Sequence, residues 1–378
     1  GETSDDLYDP EWCELFSEKA TETVDWLIEK GVKLNRIDSS LSRAHVSSDY
    51  SVAGNAMVDG MTQLLDELGA DVRLGNTATG LVMEDGAVTG VTVEADGSSY
   101  TISAPNVILC TGGYFANSEM VKEYFTDFAD LNLPTDARKG ADGSGMLMAQ
   151  EAGAALANPD EGNVSPFAIN VNGVEYNTPL GFVWMGGIAV NKNGERFTDE
   201  TAKYLTVSRE ILKQPDAEAY VIFDQTVMNN IAATSPDQLQ HLMINGLIEE
   251  YATIGELAAA HGFDSDTLTS TIQHYSELVA GQADTDFGRP YYYMQGSDMT
   301  TAPYYFIDTE MCLHTTWGGI VTNIDGQVLT ENGEVIPGLY AAGECTQTKV
   351  QGNGSATQGP VWGSICVETI LSGLSQEQ

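Results

Sequence analysis

From Pro10 onward, apolar residues recur at helical spacing, at Trp12, Leu15, Phe16, Val24, Leu27 and Ile28, until Gly31 stops the run. That pattern predicts a helix. A second is predicted over residues 54–68, with Met57, Met61, Leu64, Leu65 and Leu68 on one face and Gly69 at its end. The period then shortens. Residues 71–74, 78–84 and 88–94 read as strands, with Asp85-Gly86 as a hairpin turn. Asp96-Gly97 leads into a further strand over 99–103. Residues 106–113, NVILCTGG, read as a buried strand ending in a glycine pair, or as a strand-to-loop turn that needs positive φ. Residues 140–155 are glycine-rich and turn into a helix, whose N-terminus would favour anionic groups.

Further along, GGIAVNKNGERFTDE (186–200) reads as a hairpin with Asn193-Gly194 at its turn. Helices are predicted over 202–212, 235–245, 253–260 and 267–278, the last with Leu268, Ile272, Tyr275 and Leu278 on one face. The chain then passes through residues 304–308 and a loop over 312–319. It reaches 335–344, VIPGLYAAGE, two apolar runs split by Pro337-Gly338. The second run predicts a buried strand that carries Gly343 and Glu344 into a ligand site. Small residues let backbone approach a flat or charged ligand, and a carboxylate accepts hydrogen bonds from hydroxyls. A plain hairpin is the alternative. A terminal helix is predicted over 361–371.

Composition narrows the function classes. The 378 residues can bury a large core and form more than one domain. No apolar run reaches the roughly 18–20 residues of a membrane span. With 55 acids against 16 bases the formal net charge is -39, which argues against nucleic-acid binding. Such acidity suits a salty or extracytoplasmic setting, with the bacterial cell envelope favoured over the cytoplasm. Cys13, Cys110, Cys312, Cys345 and Cys366 form no CxxC pair and offer no metal-ligand spacing. They are expected to be mostly buried small hydrophobes. His241, His261 and His274 are expected to be structural. Ser208 and Ser364 have no histidine or acid at hydrolase spacing. Asp5-Asp6 and Glu249-Glu250 read as solvated faces.

GLYAAGE at 338–344 resembles the closing FAD segment of the fumarate reductase and succinate dehydrogenase flavoprotein superfamily, in its soluble flavocytochrome-like type acting on fumarate, urocanate or ketosteroids. The hairpin at 186–200 and TDFGRP at 285–290 match the same family, and so does Arg43-Ala44-His45. His45 there lies near the flavin or at the surface. The resemblance implies an α/β fold: a Rossmann-like FAD-binding domain of glutathione-reductase type with an inserted α+β capping domain. The expected division is 1–157 and 297–378 for the flavin domain and 158–296 for the cap. It implies FAD, held by Thr111, Gly112 and Gly113, by Ser144 where the family has an acid, and by Ala342, Gly343 and Glu344. Gly363, Ser364 and Ile365 would bring the terminal helix to the flavin ring, where its dipole stabilises negative charge. Family members begin with a strand and a GxGxxG turn. No GxGxxG occurs in this chain. Its first βαβ unit is therefore expected to be missing, with about a hundred residues upstream, going by the size of such a unit and its following loop.

In the family, an arginine four residues after the acid of an RFxNE motif supplies a proton to the substrate. Here the motif is Arg196-Phe197-Thr198-Asp199-Glu200, and the fourth residue on is Tyr204. A phenol of pKa about 10 can serve as a general acid, and an ordinary helix tyrosine is the alternative. The family's proton-relay arginine and acid fall at Val183 and Leu180, and a substrate histidine falls at Ser165. Of its HHTMGG loop this chain keeps His314, followed by Thr315, Thr316 and Trp317. The terminal substrate arginine has no counterpart in GNGSATQGPVWG (352–363), and Lys349 is the nearest base. Two buried carboxylates without paired cations cost several kcal/mol each, so fumarate is not the expected substrate. Trp184, Trp317, Trp362, Gly359 and Ser165 are expected to contact a larger, mostly neutral or aromatic unsaturated compound, with Tyr204, His314 and Thr315 as catalytic candidates and Tyr291 to Tyr293 nearby.

Two function classes follow. One is an FAD-dependent reductase of activated C=C bonds, or the reverse reaction of ketosteroid dehydrogenases. The other is a non-catalytic binding subunit with an incomplete FAD site. The expected partners are a small unsaturated molecule and an electron donor carrying haem, FMN or a quinone link, since the chain has no CxxCH.

Overall fold

The computed structural model describes residues 8–38, 43–47, 53–177, 179–347, 349–350 and 355–376. The helices are α1 (Pro10–Glu29), α2 (Ala53–Glu67), α3 (Ser118–Tyr124), α4 (Ser144–Glu151), α5 (Leu180–Trp184) and α6 (Tyr204–Ile211). They continue with α7 (Gln225–Thr234), α8 (Pro236–Ile244), α9 (Ile254–His261), α10 (Ser265–Ala280), α11 (Tyr291–Met294) and α12 (Ser355–Gln376). The strands are β1 (Leu34–Asp38), β2 (Arg43–Ser47), β3 (Thr77–Glu84), β4 (Ala87–Ala95), β5 (Ser98–Ser103), β6 (Val107–Leu109), β7 (Leu156–Ala157) and β8 (Gly162–Val171). After these come β9 (Val174–Tyr176), β10 (Ile188–Asn191), β11 (Ala219–Asp224), β12 (Glu249–Tyr251), β13 (Tyr304–Thr316), β14 (Gly319–Ile320), β15 (Gln327–Leu329) and β16 (Val335–Ala341). The fold is mixed α/β, and its contacts divide it into two compact units.

One unit comprises residues 121–138 and 162–315. Its sheet runs β10-β11-β13-β8-β9, with β12 also paired to β13. The long β13 organises it, in antiparallel register with β11 from Asp224↔Tyr304 to Ala219↔Thr309. Strand β8 is buried from Val164 to Ile169, so it shows none of the alternation of a half-exposed strand. Capping follows sequence. Asp224 accepts from the amides of Thr226 and Val227 to start α7, and Asp264 caps α10 through Thr267 N. Each such cap is worth about 1 kcal/mol.

The other unit comprises residues 2–120, 139–161 and 316–378. The meander β3-β4-β5 is antiparallel, while β16 runs parallel to β6 with Leu339 opposite Val107. Asp9 caps α1 and Pro10 occupies its first turn. Helix α1 packs Trp12 and Phe16 against Tyr340, Val361, Trp362 and Ile365. The rings of Trp12 and Trp362 lie 4.6 Å apart.

Several sequence expectations change. Residues 71–74 form no strand: Arg73 folds back on Asp71 and the Tyr100 hydroxyl, and Leu74 stays exposed. The hairpin expected at 186–200 has its turn, with Gly194 N donating to Asn191 O, but no return strand. Strand β10 pairs with β11 instead, and Arg196 and Glu200 are drawn into a buried ion cluster. The loop expected from 312 is largely strand, because β13 continues to Thr316 and Leu313 bridges to Thr135. Strand β13, up to Thr315, belongs to the unit of residues 162–315. Strand β16 runs through Pro337-Gly338, and helix α12 begins at Ser355, before the expected 361. Of the cysteines, Cys110 is exposed and Cys13 half-buried, the other three buried. Residues 1–7, with Asp5-Asp6, and residues 351–354 lie outside the described set, as does the side chain of His45.

Candidate functional site

In the unit holding α1 and α12, the ends of β6 and β16 open into a cavity of about 890 Å³. Cys110 and Gly112 follow β6; Ala342, Gly343 and Glu344 follow β16; Gly359, Pro360, Gly363 and Ser364 come from α12. The volume is that of a small-molecule site. Gly112 and Gly343 both take positive φ, +74° and +79°, which turns the chain sharply at both strand ends. At Gly359 and Gly363, one helical turn apart, an added Cβ would meet nothing within 4 Å. Side chains there would enter open space, so the bare helix face is a flat wall.

Glu344 is held in place. Its Oε1 accepts from the backbone N–H of Thr316 at 2.9 Å. Gly113 sits behind it: a Cβ on Gly113 would lie 2.1 Å from Thr316 Oγ1 and 2.7 Å from Glu344 Oε1. Glycine at 113 therefore serves close packing under the carboxylate. Thr111 is packed against Gly145, where a Cβ would come within 2.0 Å of its Oγ1. The Ser144 amide donates to Asp142 Oδ1 at the start of α4.

Of the expected cofactor residues, the cavity collects Gly112, Ala342, Gly343, Glu344, Gly363 and Ser364, and also Gly359, which was expected to touch substrate. Thr111, Gly113, Ser144 and Ile365 are not among its lining. Trp362, expected to touch substrate, is 5% exposed, packs against Trp12 in the core and is not among the cavity's lining. Sequence reasoning missed Lys19, Thr23, Trp26 and Leu27 of α1 and Met61 of α2, which also line the cavity. A signal existed: the apolar stripe of α1 is wider than the core needs, leaving Trp26 43% exposed.

The second unit holds the remaining candidates. Arg196 Nε donates to Glu200 Oε1 at 2.7 Å and its Nη2 to Asp284 Oδ2 at 3.0 Å. Arg289 Nη1 donates to Glu200 Oε2 at 3.3 Å and to Gly187 O at 2.9 Å; its Nη2 donates to Tyr293 O at 3.1 Å and to Val183 O. Burial would raise the Glu200 carboxyl, but the two guanidiniums outweigh it and hold it below its ordinary range. Both guanidiniums also lie over the Tyr275 ring. This cluster braces the turn leading into α6, whose first residue is Tyr204. The Tyr204 hydroxyl has no hydrogen-bond partner among the described residues, and burial alone pushes its pKa up. It stays a neutral phenol with its proton in place at physiological pH.

The positions that carry charge in the resembling family are uncharged and buried in this unit: Leu180, Val183 and Ser165, with no partner for Ser165 Oγ among the described residues. Trp184 is exposed on α5. Thr315 and Trp317 are half-buried on either side of Thr316. His314 Nδ1 lies 2.7 Å from Asp136 Oδ2. His261 stacks on Phe306, as a structural ring would.

The sequence family described as "FAD binding domain" matches residues 2–356. The chain belongs to this FAD-binding family. It is 29% identical over 89% of its length to an NADH:fumarate oxidoreductase of Klebsiella pneumoniae strain 342, covering 36% of that protein. It is 26% identical over 94% of its length to a vinyl phenol reductase of Lactiplantibacillus plantarum, covering 77%. Among solved structures it resembles the open conformation of a flavocytochrome c3 fumarate reductase, with 28% identity and a TM-score of 0.74, over 96% of this chain and 64% of that one. The chain spans between about a third and just over half of the first curated relatives it matches. FAD is the cofactor of this family, and the cavity suits a flat group: Gly359 and Gly363 leave one wall bare, Trp26, Leu27 and Met61 line the cavity beside Lys19, Glu22 and Glu368, and the Glu344 carboxylate is anchored at the strand end. Among the described residues, no helix is long and apolar enough to cross a membrane.

Proposed function

We propose that this FAD-binding chain is part of an oxidoreductase that reduces an activated C=C bond in a mostly neutral or aromatic compound, and that Tyr204 supplies the proton. Bound FAD would supply the hydride. The carrying observation is Tyr204 itself, a desolvated, unpartnered phenol at the start of α6, braced by the Arg196–Glu200–Arg289 cluster. A phenol in that state holds its proton until the adjacent carbon gains carbanion character, then donates it. Uncharged residues at Leu180, Val183 and Ser165 support a substrate without carboxylates, since the Arg289 guanidinium at Val183 is already engaged by Glu200 and three backbone carbonyls. The likeness to a vinyl phenol reductase supports an aryl-conjugated alkene. Trp184, Thr315 and Trp317 are proposed to contact it, and the 162–315 unit is proposed to be the cap.

The flavin cavity is proposed to receive electrons from a separate donor protein or domain, in an extracytoplasmic location consistent with the acidic composition. The test offers the FAD-loaded protein, reduced by a low-potential dye, a panel of vinylphenol, an enone, acrylate and fumarate. Reoxidation by the first two and not by fumarate is expected. Robust fumarate turnover overturns the substrate assignment.

A further inference from the structure

We propose that Asp136 is a positioning residue that sets substrate specificity through His314, making the imidazole a hydrogen-bond acceptor for a hydroxyl or N–H of the substrate. The inference rests on the reductase reading for its kinetic arm only. The geometry is local to one unit. Asp136 Oδ2 lies 2.7 Å from His314 Nδ1, and Asn177 Nδ2 donates to the same oxygen at 3.2 Å. A carboxylate can only accept, so the proton on the ring belongs on Nδ1. Asn177 Nδ2 also lies 3.3 Å from Nδ1, but two donors cannot pair, so the amide belongs to Asp136. Asn177 thus fixes the carboxylate, and the carboxylate fixes the ring.

The consequence falls on the other nitrogen. Nε2 has no partner among the described residues, and the side chain keeps 34% of its surface exposed. With Nδ1 protonated, the neutral ring presents a lone pair at Nε2, which attracts a donor such as a phenolic hydroxyl. Charge points the same way. With a neutral ring the pair carries -1, and with an imidazolium it carries zero, so neither state offers a net cation to a carboxylate substrate. Acidic groups lie on and beside the same strand: Cys312 feels Asp136, Glu175 and Glu310, and Glu310 in turn feels Glu175 and Asp308.

The experiment labels the five histidines with ¹⁵N in the FAD-loaded protein and assigns His314 by its loss in H314Q. At a pH where the ring is neutral, Nδ1 is expected to appear protonated and Nε2 bare. In D136A the nearest group to Nδ1 becomes the Asn177 amide donor, so the proton is expected to move to Nε2. In D136N, whose amide oxygen can still accept, it stays on Nδ1. A wild-type ring protonated at Nε2 overturns the proposal without any variant, and so does an unchanged tautomer in D136A. The kinetic arm compares kcat/KM for vinylphenol and acrylate. D136A is expected to shift that ratio at least tenfold toward acrylate, and an unchanged ratio refutes the specificity role. Failure of all catalysis with the tautomer as expected would instead count against the reductase reading.

Discussion

Replacing Arg289 by Met tests the ion cluster that braces Tyr204. The Arg289 side chain is fully buried. Its removal leaves Glu200, also fully buried, with Arg196 as its remaining cation, and strips hydrogen bonds from the carbonyls of Gly187, Val183 and Tyr293. Breaking a buried pair from one side costs about 3–5 kcal/mol, and Met restores part of the lost packing volume. At about 2–4 °C per kcal/mol for a unit of this size, the transition of the 162–315 unit should fall by roughly 10 °C. Thermal unfolding followed by calorimetry and tryptophan emission measures it.

The pH dependence carries the sign. Glu200 is depressed in the folded state, so its stabilisation is present above the unfolded carboxyl value of about 4.3 and is lost as pH falls through the folded value. R289M should shrink that acid-side loss, because the depression itself shrinks. A variant within about 1 kcal/mol of wild type, with an unchanged acid limb, would refute the assignment of the cluster as a brace.

Other outcomes are equally concrete. Y204F should lower kcat on an aryl alkene by about 10²–10⁴ while KM changes little; an unaltered kcat removes Tyr204 from the chemistry. Because burial raises the phenol, wild-type activity that depends on it should persist through neutral pH and fall only as pH rises through that raised value, a limb that Y204F lacks. G363L fills the open wall of the cavity and should weaken FAD retention at least tenfold, about 1.4 kcal/mol or more, read by flavin fluorescence on titration. Undiminished retention would move the flavin away from α12.

Much of this was legible in one dimension. Helix α1, α10 with its Leu268–Ile272–Tyr275–Leu278 face, and the meander β3 to β5 follow from periodicity and turn residues, because those signals act over a few neighbouring residues. The strand end at Ala342 to Glu344 was legible too, since small residues beside one acid have few uses at the end of a buried strand. Tertiary structure decided the rest. Trp362 looks like a ligand-stacking ring until Trp12, 350 positions away in sequence, is found against it. Residues 312–316 look like a polar loop until pairing within the sheet makes them strand. Asp136 and His314 share no local pattern, being 178 residues apart. Local propensity is encoded within a turn or two of backbone, whereas the partner that sets a tautomer, fills a core or closes a cavity wall is chosen only when distant segments pack.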